Sequence, residues 1–191
     1  MIKKFSRSVA SSLCNKTDNQ GKIELYEYAV FIALTSILHI LSIFALGILL
    51  NVLLESVIFY VAFVVVRKFA GGFHAKTPTR CYVFSVVTIS ISLILIKAVE
   101  LFSTWWLIAI LLGVCAISVG IICYFSPIEN ANNPLGEKEK NTYKKIAIIG
   151  AILVYILATI FCINTIYNVG VSLIFALFMN SIVVIMAKVI K

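Results

Sequence analysis

From Ile146 to Ala187 the chain runs for 42 residues without a charged side chain. A helix needs about 20 apolar residues to cross the hydrocarbon core of a bilayer. The stretch is therefore too long for one crossing and suits two, with Asn164, Asn168 and Gly170 marking the turn of a hairpin. The remaining uncharged runs parse in the same way. The first spans Ala29 to Leu50, and Asn51 then interrupts before Val52 to Val66 continues, with Glu55 as its one charge. Glu55 is expected to snorkel toward the outer surface, leaving a tight hairpin. A third run, Tyr82 to Ile96, extends past Lys97 toward Phe102, and a fourth, Thr104 to Phe125, opens with Trp105 and Trp106 at the interface. The second and third are short enough that a re-entrant segment is the alternative.

Composition agrees with this parse. Of 191 residues 62% are hydrophobic and 13% charged, which excludes a soluble globule. Three prolines, nine glycines and no low-complexity tract leave one compact membrane domain, residues 1–191. Six spans put the N-terminal segment, the 67–80 block, the 126–145 block and the C-terminus on one side. That side holds 15 of the 16 basic residues behind the net charge of +8, and only Lys97 lies on the other. Positive-inside asymmetry of this size predicts a multi-pass protein of the cell membrane with both termini cytoplasmic. Lys3 and Lys4 are followed by no apolar core until Ala29, unlike a cleaved signal peptide. Within residues 1–28, Ile2, Phe5, Val9 and Leu13 recur at helical spacing, as in an amphipathic helix lying at the membrane interface. The expected fold is all-α and polytopic, with about six transmembrane helices and this interfacial helix.

The five cysteines are an odd number, and Cys115, Cys123 and Cys162 sit in apolar runs where thiols pack as small hydrophobes, so no disulfide framework is indicated. Cys81 differs. It shares the segment 67–81 with His74 among Arg67, Lys68, Lys76 and Arg80. A cysteine nucleophile acts as thiolate and needs a base or positive surroundings. Thr77-Pro78 is a helix-start signature that places Cys81 about one turn into the third span, near exposed amides that favour an anion. In an unbroken helix His74 and Cys81 would stand roughly 10.5 Å apart along the axis, too far for proton transfer. The chain must fold back, and Gly71-Gly72 and the restriction that Pro78 imposes on Thr77 supply bends on both sides of His74. On spacing alone the pair is compatible with a catalytic dyad and with two unrelated surface residues. A metal centre would need three or four ligands, and the only other histidine, His39, lies within the first span. Neither an HExxH motif nor a phosphate-binding glycine loop is present, so no metal or nucleotide cofactor is expected.

Arg67, Ala70, Gly72, His74-Ala75 and Cys81-Tyr82, at this spacing, resemble the motif of the AgrB family, the membrane cysteine endopeptidases of Gram-positive quorum sensing. The resemblance extends to chain length, the basic N-terminal segment, the span pattern and a second cytoplasmic loop with Ser126-Pro127-Ile128-Glu129 and Asn133-Pro134-Leu135, ending in Lys144-Lys145. Asn133 stands where many members carry a basic residue. The resemblance implies that His74 and Cys81 form a catalytic dyad that removes the acidic tail of a short AgrD-like propeptide. The acyl part would remain as a thioester on Cys81 until an internal Cys or Ser of the substrate closes a thiolactone or lactone. Arg67, Gly71, Gly72, Arg80, Lys144 and Lys145 are the candidates for substrate binding or oxyanion support. The partners implied are the propeptide and membrane lipids, with no nucleic acid and with a homodimer left open. The competing readings are a peptide exporter and a non-catalytic signalling scaffold.

Overall fold

The computed structural model describes residues 7–9, 11–12, 23–73, 78–102, 104–128 and 136–189. Six long helices follow in order: α1 (Ile23–Leu49), α2 (Leu53–Ala70), α3 (Pro78–Leu101), α4 (Trp105–Phe125), α5 (Glu137–Ile163) and α6 (Tyr167–Val189). Among the described residues all regular structure is helical. The parts of α1, α3, α4, α5 and α6 at Tyr26–Leu49, Arg80–Leu101, Trp105–Phe125, Glu137–Ile163 and Tyr167–Val189 are long and apolar enough to cross a membrane. The protein is a polytopic membrane protein. With 24 residues, α3 has full spanning length, so its shortness in the hydropathy reading came from stopping at Lys97, which pairs with Glu100 at 3.4 Å near the end of the helix. The shortest of the six helices, α2, has 18 residues, with Glu55 near one end and Arg67 and Lys68 at the other.

Two units make up the chain, residues 1–42 and 43–191. In the first, residues 7–9 and 11–12 are helical, the Ser11 hydroxyl donates to the Ser8 carbonyl at 2.8 Å, and Arg7 lies 4.0 Å from Glu27. Ile2, Phe5, Leu13 and Cys14 lie outside the described residues. His39 Nδ1 lies 2.7 Å from the Thr35 carbonyl, as suits a histidine held within its own helix.

The second unit is built around α6, which packs against α2, α3, α4 and α5. Small residues let the neighbours approach, as is usual between membrane helices: a Cβ at Gly170 would collide with Cys162 Sγ of α5. Polar side chains tie α6 to α2 at two levels. Asn180, fully buried, donates to the Phe63 carbonyl at 3.1 Å and to Ala176 of its own helix at 2.9 Å. Asn168 donates to Glu55 Oε1 at 3.0 Å. Glu55 is thus 7% exposed and does not snorkel, because α6 brings an amide donor to it. Asn168 correspondingly belongs to the first turn of α6, while the hairpin turn is Asn164 to Ile166. Thr165 there has φ 61°, and the Asn164 amide donates to the Ile160 carbonyl at 2.8 Å. The first hairpin turns as expected at Asn51, with φ 54° and the Val52 N–H bonded to the Gly47 carbonyl at 2.8 Å.

Candidate active site

Helix α2 continues past Arg67 and Lys68 and ends at Ala70, because Gly71 leaves the helical region with φ 75°. Only glycine adopts this conformation without strain. Gly71 also lies against the loop that follows α4, where a Cβ would strike the Ile128 carbonyl oxygen, and the Ile128 N–H donates to the Ala70 carbonyl at 3.0 Å. Gly72 follows with φ 150° in a gap that a Cβ would overfill, 2.6 Å from Arg67 Nη1 and 2.8 Å from Val183 Cγ1. Both reasons anticipated for the glycine pair, backbone freedom and close approach, therefore operate.

Beyond the glycines the chain is pinned. The Phe73 N–H donates to the Val183 carbonyl of α6 at 3.2 Å, and its carbonyl accepts from Arg67 Nη2 at 2.7 Å. The Phe73 ring meets Phe84 of α3 edge-on, with centroids 5.6 Å apart. His74 and Thr77, the expected base and N-cap, lie outside the described residues. The chain resumes at Pro78, the first residue of α3, so Cys81 stands in its first turn as the Thr-Pro signature predicts.

Cys81 is a half-buried free thiol on the wall of a cavity of about 30 Å³ that it shares with Arg67, Phe63, Phe73, Phe84 and Val183. The Arg67 guanidinium is held on one side by the Phe73 carbonyl and lies 5.7 Å over the Phe63 ring. Its other terminal nitrogen, Nη1, is buried and has no hydrogen-bond partner among the described residues. An unpaired buried donor of a permanent cation is costly, which makes Nη1 a ready donor to an anionic or carbonyl oxygen arriving beside Cys81.

The remaining sequence candidates lie elsewhere. Arg80 is exposed and does not line the cavity. Lys144 and Lys145 are exposed on α5. The ring contact of Tyr143 with Phe69, at 5.6 Å, brings the start of α5 to the end of α2, so both basic blocks stand at one end of the bundle. Sequence reasoning missed Phe63, Phe84 and Val183. The spacing of Phe59, Phe63 and Arg67, and of Cys81, Phe84 and Thr88, on single helix faces was the available signal for the first two; nothing local marked Val183.

Among protein families, residues 2–187 match Accessory gene regulator B. The chain belongs to this AgrB family. Its relatives include AgrB-like proteins of Clostridium perfringens strains SM101 and 13, each 26% identical, covering 91% of this chain and 83% and 82% of theirs. Protein FsrB of Enterococcus faecalis is 29% identical over 77% of this chain and 59% of its own length. No solved structure matches. AgrB proteins belong to the accessory gene regulator systems of quorum sensing, so this family member is a membrane component of such a system.

Proposed function

We propose that this AgrB protein is a cysteine endopeptidase that trims an AgrD-like propeptide and cyclises the product. The observation that carries the reading is Cys81, the cysteine of the family motif, at the start of α3 in a cavity shared with Arg67, whose Nη1 has no partner among the described residues. His74 takes the Cys81 thiol proton, and the thiolate attacks the carbonyl carbon ahead of the propeptide's acidic tail. The tetrahedral oxyanion accepts a hydrogen bond from Arg67 Nη1. Protonated His74 returns its proton to the leaving nitrogen, the C–N bond breaks, and the tail departs, leaving a thioester on Cys81. An internal substrate thiol or hydroxyl then gives its proton to His74 and attacks the thioester, closing the ring and restoring Cys81. No water enters either half-reaction, and no ATP is consumed.

Positive-inside asymmetry puts both termini and this end of the bundle in the cytoplasm. The exposed Lys138, Lys140, Lys144 and Lys145 of α5 create a positive field for an acidic tail. The test is co-expression with a short AgrD-like propeptide, followed by mass. Wild type should shorten it, Cys81→Ala should leave it intact, and Cys81→Ser should process it far more slowly. Cleavage by Cys81→Ala at the wild-type rate would overturn the peptidase reading in favour of an exporter or scaffold.

A further inference from the structure

The cavity beside Cys81 has more apolar wall than oxyanion stabilisation requires. Besides Cys81 and Arg67 its lining includes Phe59, Phe63, Phe84 and Ile89, contributed by α2 and α3. Phe59 and Ile89 are buried at 0% and 3% exposure, and the Phe59 and Phe63 rings stack at 5.8 Å. An acyl group on Cys81 Sγ carries its own side chain two bonds beyond the carbonyl carbon, within reach of this wall. Resting on the peptidase reading, we propose that the cavity is the specificity pocket for the residue whose carbonyl is attacked, and that it selects an aliphatic side chain there.

Three properties lead to that class. An ammonium would lose its hydration against phenyl rings and stand beside the Arg67 cation. A carboxylate would take the one free guanidinium donor away from the oxyanion and leave its second oxygen facing apolar carbon. The volume of about 30 Å³ accepts the end of an aliphatic chain and is too small for an aromatic ring. Ile89 is part of the apolar wall, so a change in its side-chain volume changes the room left for the substrate.

The test uses the co-expressed propeptide with Leu, Ala, Phe or Asp at the residue before the cut, compared by initial processing rate. Wild type should process Leu best, with Ala and Phe slower on the order of 10-fold or more and Asp slowest. Ile89→Ala should raise the Phe substrate relative to Leu, and Ile89→Phe should raise Ala relative to Leu. These reversals are gains that a misfolded variant cannot produce. Equal rates on all four substrates with wild type, all abolished by Cys81→Ala, would overturn the pocket while leaving the peptidase standing. Processing that survives Cys81→Ala would remove both. Unchanged preference in both Ile89 variants would also overturn the assignment.

Discussion

Replacing Arg67 by lysine keeps a positive charge but removes the planar fork in which one nitrogen holds the Phe73 carbonyl while the other is left without a partner among the described residues, in a side chain that lines the cavity with Cys81. The expected result for Arg67→Lys is therefore a loss of propeptide processing of about 10²-fold, the usual effect of deleting one oxyanion donor. The amount of protein in the membrane should change little, and both are read from the same co-expression. Gly72→Ala should act through the same group. Its Cβ would meet Arg67 Nη1 at 2.6 Å and Val183 Cγ1 at 2.8 Å on a backbone at φ 150° that disfavours any side chain. Since both changes disturb one guanidinium, Gly72→Ala combined with Arg67→Ala should be little worse than the poorer single variant, a non-additivity visible in a double-mutant cycle. Full additivity would separate Gly72 from Arg67.

At the scale of elements, α6 is tied to α2 by polar contacts at separate levels, Asn168 to Glu55 and Asn180 to the Phe63 carbonyl. Where every surrounding side chain is apolar, such pairs specify which faces of two helices meet. Asn168→Leu would leave the buried Glu55 carboxyl without its donor and should destabilise the bundle by about 2 kcal/mol, seen as a lower Tm in detergent. Glu55→Gln retains an acceptor oxygen and should cost clearly less. Removing both polar groups in Glu55→Leu/Asn168→Leu should recover part of the loss, and a double variant worse than Asn168→Leu would contradict this account. The helix ends show a related principle. Hydropathy stops α2 at its first cation, whereas the helix stops where the Gly71 backbone leaves helical space. Likewise α5 begins at Glu137 rather than Ile146, since Lys138, Glu139, Lys140, Lys144 and Lys145 are sound helix formers whose charges reach water, and the Gly136 N–H donates to Glu139 at 3.2 Å.

For the whole molecule, the proposed topology, six crossings with both termini cytoplasmic, would put Asn51 and Asn164 outside and Lys138 and Lys188 inside. Single cysteines introduced at these positions in a variant otherwise free of accessible cysteine should react with an impermeant maleimide on intact cells at Asn51 and Asn164. Those at Lys138 and Lys188 should react only after the membrane is opened. Labelling of Lys138→Cys from outside would invert the topology and remove the field proposed for the acidic tail.

The apolar runs, the one-sided cations, the need for a bend at Gly71-Gly72 and the place of Cys81 in the first turn of α3 were legible without coordinates. Each rests on a local property: the hydrophobicity of about 20 successive residues, the positions of charges, and the backbone freedom of glycine and proline. Only the tertiary structure decided that Arg67 and Cys81 line one cavity, that Val183 closes the gap beside Gly72, and that Glu55 turns inward to Asn168. The physical reason is that a helix apolar around its whole circumference carries little periodic signal to say which face is buried. That choice is made by the fit of small residues and by a few polar pairs between segments distant in sequence, here across the gap from α2 to α6.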